Sequence, residues 1–265
     1  TSVIINNSPV LKAVYFIIAT GGASYPLTGS RGEGQQFAVI LGHNIVPLEP
    51  ALVPMVVKDE KTKELQGLSL RNIEINIKEN NKKSIYKDFG EINFTMSGVS
   101  GPLILKGSRF IEKGRKYTAH VDLKPALSIG ELDKRVVRDF TKYINSPFKE
   151  SLKDLLPQKI IPMVIKMSEI SQNKMVNEIT KEERKKLVNI LKDFTFEIEG
   201  LRPLSEGIVT RGGVDIKEID PSTMKSKIID NLSFCGEVMD FDAFTGGYNV
   251  QIAFATGYVA GNNIW

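Results

Sequence analysis

Three glycine-bearing turns are the places in this 265-residue chain where backbone could meet a ligand: Thr20-Gly21-Gly22, Thr210-Arg211-Gly212-Gly213, and Gly236-Glu237 running through Asp240 to Thr245-Gly246-Gly247-Tyr248-Asn249. Each is expected at the carboxyl end of a strand, the edge at which open α/β sheets bind ligands. Paired glycines there let N–H groups approach a ligand without a side chain in the way. The last turn opens a helix expected over 247–262, whose free N–H groups and partial positive charge suit an anion or an electron-rich ring edge. Taken alone, each pair reads as readily as a plain turn.

Other chemistries lack their residues. No Gly-x-Gly-x-x-Gly follows a strand, and the glycines of Gly29-Ser-Arg-Gly32-Glu-Gly34 fall at the wrong spacing for a dinucleotide turn. Gly-x-Ser-x-Gly, Walker A, zinc and His-Glu-x-x-His patterns are absent, so hydrolase and nucleotide-triphosphatase readings have no support. One cysteine, Cys235, and two distant histidines, His43 and His120, build neither an internal disulfide nor a Cys/His metal site, so no metal is expected. His120, inside a strand and without a second ligand nearby, is read as a packed or edge histidine.

Composition sets the frame around these turns. The chain is 42% hydrophobic and 25% charged, which excludes disorder as its main state. Its longest apolar run, Ala13 to Ala19, is far short of the roughly 20 residues of a bilayer crossing. With a lone cysteine, a reducing, cytoplasmic setting fits. The net charge of +4 is matched by one window, 149–192, with ten Lys/Arg against six Asp/Glu. Its bases alternate with acids as on a solvated helix face and no aromatic stacking platform accompanies them, so a nucleic-acid partner is not expected.

Glycine divides the chain, since residues 131–199 contain none. That block is expected to be helical over 129–144, 148–155, a short piece within 158–170, and 181–192, with Ser128/Glu131 and Thr180/Glu183 as capping boxes. Residues 66–124 read as β-rich. Ile73, Ile75 and Ile77 alternate with polar residues, Asn80-Asn81 marks a hairpin turn, and 117–123 forms a further strand. At the two ends, short strands at 14–19, 44–48 and 232–235 alternate with helices at 32–42 and 247–262. In the last helix Val250, Ala253, Phe254, Gly257, Tyr258 and Gly261 are expected to pack on a sheet. Val14–Ala19, apolar on both faces, suits a strand buried in a sheet. The chain is therefore expected to be α/β, or α+β overall: one α/β domain over 1–48 and 202–265, interrupted at 49–201 by an insertion. The insertion is β-rich over 49–127, helical over 128–193, and closed by a return strand at 194–201.

In their wording the glycine segments are more specific. Phe16-Ile-Ile-Ala-Thr-Gly-Gly-Ala-Ser-Tyr-Pro-Leu-Thr-Gly-Ser, Leu41-Gly-His-Asn-Ile-Val-Pro-Leu-Glu-Pro-Ala-Leu-Val-Pro, Ile208-Val-Thr-Arg-Gly-Gly-Val, and the run from Phe234 through Gly236-Glu237 and Thr245-Gly246-Gly247-Tyr-Asn249 to Gly257 resemble the bacterial BaiN-type, aminoacetone-oxidase-like family of FAD-dependent flavoproteins. The resemblance covers essentially the whole chain, strong at both ends and loose over 58–200. It implies part of a glutathione-reductase-like FAD-binding domain interrupted by a β-barrel-like module with a small helical subdomain. It also places Thr20, Gly21 and Gly22 near the adenosine half of FAD, Gly236, Glu237 and Asp240 along the ribityl-pyrophosphate, and Gly246, Gly247 and Asn249 against the isoalloxazine, with Arg211 as a neighbour of that ring.

The resemblance further implies an oxidoreductase that passes electrons from NAD(P)H through flavin to a small organic substrate; no catalytic acid or base can be named. Family members carry a strand, a Gly-x-Gly-x-x-Gly turn and a helix ahead of the Ala-Thr-Gly-Gly segment. Here that segment lies near the start, so the chain is expected to be the later portion of a longer flavoprotein. Alone it is expected to lack FAD and to self-associate through an exposed half-domain. The competing expectation is a non-catalytic module whose basic helical insertion contacts a polyanion or protein partner.

Overall fold

The computed structural model describes residues 2–3, 11–58 and 60–264. In chain order the elements are β1 (Ser2–Val3), β2 (Leu11–Lys12), β3 (Phe16–Ile18), α1 (Glu33–Ile40), β4 (Ile45–Ala51), β5 (Met55–Val57), β6 (Ser69–Glu79), β7 (Lys83–Thr95), β8 (Gly98–Ser100), α2 (Pro102–Ser108) and β9 (Tyr117–Asp122). They continue with α3 (Ile129–Lys142), α4 (Phe148–Ser151), α5 (Ile161–Ser168), α6 (Lys181–Lys192), β10 (Phe194–Leu201), β11 (Val209–Val214), β12 (Leu232–Phe234) and α7 (Tyr248–Asn262). The chain divides into two compact units, Thr1–Val53 with Arg202–Trp265, and Pro54–Leu201.

The Pro54–Leu201 unit is a closed antiparallel barrel with strand order β10-β5-β8-β7-β6-β9, accompanied by α2 to α6. Its strands alternate as a half-buried strand must. Ile73, Ile75 and Ile77 of β6 face the core with Tyr117, Ala119 and Val121 of β9 and Phe194, Phe196 and Ile198 of β10. Asn80 and Asn81 take left-handed φ values of 50° and 57°, and the Lys82 amide donates to the Glu79 carbonyl at 3.0 Å. That is the mirror-image turn whose twist matches two antiparallel strands. Both capping boxes form: the Glu131 and Glu183 amides donate to Ser128 Oγ and Thr180 Oγ1 at 3.3 and 3.1 Å, and each glutamate side chain accepts from its cap amide at 2.8 Å. Leu132 and Val136 of α3 and Leu187, Val188 and Leu191 of α6 join the barrel's core. His120 sits on the outer face of β9, between β6 and β10, with Nδ1 2.7 Å from the Asp193 carboxylate.

The other unit holds a parallel pair, β12 with β3, and an antiparallel pair, β11 with β4. His43 is buried there. Its Nδ1 lies 3.1 Å from Glu218, its Nε2 2.9 Å from Ser226 Oγ, and its ring meets Phe234 edge-on at 4.8 Å. Glu218 also accepts from the Asn44 amide and side chain. Burial alone would raise the Glu218 carboxyl, but the Asn44 and His43 donors outweigh it and hold the group below the usual carboxylate range.

Three expectations change in this unit. Val14 is 84% exposed and Ile17 also lies open, so the 14–19 segment is not buried on both faces. The 210–213 glycines lie within β11 rather than at its end, at a register shift between Arg211 and Gly213. The shift is a local bulge, which glycine permits at φ 88° and 139°. On α7 the expected packing face is largely open: Val250, Phe254 and Tyr258 are exposed, the last two by 70% and 74%. The packed side carries Ile252, Thr256 and Ala260 instead.

Candidate functional site

The first and second glycine segments meet the third through one threonine. Thr210 Oγ1 accepts from the amides of Ala23 and Ser24 at 2.8 and 3.0 Å, and the Thr210 amide donates to Glu237 Oε1 at 2.6 Å. Gly22 faces this pair so closely that a Cβ there would lie 2.7 Å from Thr210 Cβ and 2.9 Å from Glu237 Cδ. Gly21 has φ 81°, and its carbonyl accepts from Gln35 of α1 at 3.2 Å. Thr20 follows β3 in the same loop, its hydroxyl against Gly34. Only glycine fits at position 22 because two other segments occupy the space of its side chain.

Beyond Glu237 the chain builds a cleft of about 420 Å³. Its walls are mainly apolar, with Leu52, Ile208, Phe241 and Phe244, and its floor is the backbone of Gly246 and Gly247. Both glycines are left-handed, at φ 121° and 86°, and Gly247 is the cap of α7, a helix of 15 residues. Substitution at either is strained whatever the space. Asn249 lines the same cleft and clamps the loop before it: Oδ1 accepts from the Ala243 amide at 2.8 Å and Nδ2 donates to the Ala243 carbonyl at 2.9 Å. Gly236, at φ 75°, donates its amide to Thr256 Oγ1 at 3.0 Å, tying the end of β12 to α7.

Of the residues singled out in the sequence, the structure gathers Glu237, Gly246, Gly247 and Asn249 around this cleft and sets Gly22 against Glu237 through Thr210. Arg211 and Asp240 are not among the lining residues. Arg211 pairs with Glu49 across the β11–β4 ladder, and the Asp240 amide donates to the Val214 carbonyl at 2.9 Å. Partial burial, with Asp215 and Asp242 nearby, raises the Asp240 carboxyl above its ordinary range against the opposing pull of the Gly212 amide and Arg211. Glycine spacing alone missed the walls, Leu52, Ile208, Phe241 and Phe244. The one usable signal is an aromatic pair placed just ahead of a double-glycine helix start. Among the described residues no group of three His, Cys, Asp or Glu could hold a metal, and no helix is long and apolar enough to cross a membrane.

Comparison with known proteins covers both units. Residues 49–209 match the family model described as HI0933-like protein barrel and H2TH domain. The chain is 31% identical over 249 residues to a 3-dehydro-bile acid delta(4,6)-reductase of Clostridium scindens, covering 92% of this chain and 60% of that protein. It is 31% identical over 258 residues to a ribosomal RNA dihydrouridine synthase of Haemophilus influenzae, with 97% and 62% covered. The protein of that name in Escherichia coli is 27% identical over 248 residues, with 94% and 60% covered. The chain thus spans about three-fifths of the length of these relatives. With the barrel and its helices matched as one block, the chain belongs to the HI0933-like family.

Proposed function

We propose that this chain is part of an FAD-dependent oxidoreductase that takes electrons from NAD(P)H and delivers them to a carbon–carbon double bond conjugated with a carbonyl in an organic substrate. The observation that carries the reading is the cleft at Gly246–Gly247. Apolar and aromatic walls, bare backbone and a helix N-terminus together fit a planar heterocycle with an electron-rich polar edge. When bound, the flavin supplies the two-electron chemistry. This chain's residues supply its setting. Gly246 and Gly247 leave room for the ring edge, Phe241 and Phe244 keep water from its face, and Asn249 holds the intervening loop in place. Glu237 joins the cleft to the 20–22 turn through Thr210, which suits Thr20, Gly21, Gly22, Gly236 and Asp240 to more distant parts of one extended cofactor.

The relatives' names support the reaction type. A delta(4,6)-reductase and a dihydrouridine synthase share the net addition of two electrons and two protons to a carbon–carbon double bond. The reductase name points to a small substrate, the other to a pyrimidine base in RNA. The RNA reading is favoured by the name that two of the three relatives share, those of Haemophilus influenzae and Escherichia coli.

The test is spectroscopic. A protein extended to its relatives' full length is expected to show flavin bands after purification or reconstitution with FAD, and to bleach anaerobically on addition of NADH or NADPH. Gly247→Val in that protein is expected to lower flavin content. Absence of flavin bands after reconstitution, or unchanged flavin content in the variant, overturns the reading.

A further inference from the structure

In the folded unit half of the ten cations in 149–192 are ion-paired. Lys174 pairs with Glu183, Lys186 with Glu169, Lys192 with Asp122, and Arg184 with Asp133 through two nitrogens. A denser group of unpaired cations lies on two loops that the barrel brings together.

The first loop is the β6–β7 turn, with Lys82 and Lys83 exposed at its tip and Lys78 at its base. The second precedes β9 and carries Lys113, Arg115 and Lys116, all exposed. They are neighbours because the Asn80 amide donates to the Lys116 carbonyl at 3.0 Å and Glu79 faces Tyr117 in the β6–β9 ladder. Each loop contains one glutamate, and a single arginine neutralises both: Arg115 lies 2.9 Å from Glu79 and 2.8 Å from Glu112. Lys78, Lys82, Lys83, Lys113 and Lys116 are thereby left without an ion-pair partner among the described residues. A cleft of about 560 Å³ opens beside them, lined by Asn80, Asn81, Lys116 and Thr118, with Lys58 turned toward Glu197 at 3.6 Å and Glu199 left as its unpaired acid.

We propose that this end of the barrel is an RNA-docking surface that engages the phosphate backbone through Lys82, Lys83, Lys113 and Lys116, with Asn80 and Asn81 as hydrogen-bonding side chains at its centre. It rests on the RNA reading of the substrate. Five lysines without an ion-pair partner among the described residues, on two adjacent loops and with Lys116 on the wall of a polar concavity, suit a chain of phosphates, where each contact releases a condensed counterion. A membrane surface fits poorly. Residues 80–84 and 112–116 are all exposed and none is apolar, whereas stable membrane docking needs apolar groups to enter the interface. The amide side chains of Asn80 and Asn81 can both donate and accept, as contacts to ribose hydroxyls and base edges require.

The test uses the 265-residue chain without flavin, so that RNA docking is read apart from redox activity. Fluorescence anisotropy with a labelled 20-nucleotide RNA hairpin is expected to show binding at 25 mM KCl. The affinity should fall with salt at a log–log slope of about −3 to −4, as four or five phosphate contacts require. Lys82→Glu/Lys83→Glu/Lys113→Glu/Lys116→Glu should weaken binding at least tenfold and flatten the slope, with an unchanged melting curve. Lys181→Glu/Lys185→Glu on α6, equal in kind but outside the surface, should change affinity less than twofold. No salt-dependent binding, equal losses in the two variants, or tighter binding to a DNA duplex or to phosphatidylserine vesicles than to the hairpin overturns the proposal. Failure of the RNA-substrate reading has a different signature: hairpin binding intact, but no dihydrouridine formed by the full-length protein with FAD and NADPH.

Discussion

Gly22→Ala adds one carbon at the point where the three glycine segments converge. The added Cβ would lie 2.7 Å from Thr210 Cβ and 2.9 Å from Glu237 Cδ, closer than carbon atoms can approach, and closer still to Thr210 Oγ1. Gly22 is absent from the left-handed residues, so alanine meets no backbone penalty and the cost is steric. Thr210 cannot simply rotate away, because its hydroxyl accepts two amides and its own amide is held by Glu237. Giving up two hydrogen bonds costs about 0.5–1.5 kcal/mol each, and overpacking costs about 1–3 kcal/mol. The smaller entropy of the unfolded alanine chain returns about 0.4–1 kcal/mol. The expected net loss is about 2–4 kcal/mol, read by urea and thermal unfolding, with the melting transition of this unit falling by about 10 °C or more. Thr210→Ala removes the nearest obstructing atom, Oγ1, so the double variant should lose at least about 1 kcal/mol less than the sum of the two single-variant losses. Gly22→Ala within about 0.5 kcal/mol of the wild type, or strict additivity in the double variant, refutes the convergence of these turns.

Three further outcomes follow from the same geometry. Glu218→Ala strips the acceptor from Asn44 and from the buried His43, and should cost about 1–3 kcal/mol near pH 7. Because the folded-state carboxyl is held below its unfolded value, the stability it adds is present above that unfolded value and is lost as pH falls through the folded one. Wild type and variant should therefore converge in acid melts, and a difference that persists at pH 2 counts against this assignment. Asp240 runs the other way. Its folded carboxyl is raised, so its ionisation costs stability as pH rises above the ordinary aspartate range; Asp240→Asn should melt higher than wild type at pH 7 and match it below pH 4, and a lower melting point at pH 7 would contradict this. Residues 54–201, expressed alone, should unfold in a single cooperative transition, since barrel and helices share one core; a featureless melt would show that the unit depends on the rest of the chain.

What was legible in the sequence was legible because it is local. A capping box is four residues long, the Ile73/Ile75/Ile77 alternation needs one strand, and Asn80-Asn81 needs one turn; each is present where its residues stand. Barrel closure was not legible in this way. It depends on β10 pairing with both β9 and β5, strands whose partners lie more than 70 residues and more than 130 residues earlier in the chain. The helix α2 was hidden inside a β-rich stretch because Pro102 starts it and seven residues are too few to show a period. In α7 the apolar residues run round the whole helix, so spacing allows two stripes. Thr256 chooses between them, since its hydroxyl accepts the Gly236 amide from 20 residues away and turns Val250, Phe254 and Tyr258 outward. The cleft was half legible for the same reason: glycine turns are local, but Leu52 and Ile208 reach its wall only because β4 and β11 are paired.

Charge shows the same separation between sequence and space more sharply. A count along the chain assigns the excess to 149–192, where cations and anions alternate on helical faces. There the fold brings Glu169, Asp133 and Asp122 from other elements against Lys186, Arg184 and Lys192. The 78–83 and 112–116 loops each carry three bases against one glutamate, but they lie about 30 residues apart in the chain, so a linear reading does not join them into one surface. Only when the hairpin tip lies beside the loop before β9 can one guanidinium, Arg115, satisfy both glutamates at once, and its planar fork of donors is what allows two carboxylates to share it. The lysines left over outnumber the acids left over, and the surface acquires its sign from that pairing. Arg115→Ala would therefore release two carboxylates into the lysine cluster. It should weaken RNA binding more than the loss of one positive charge, whereas Arg115→Lys, able to meet only one glutamate well, should fall between. If both variants bind RNA like the wild type, Arg115 does not set the field of this surface.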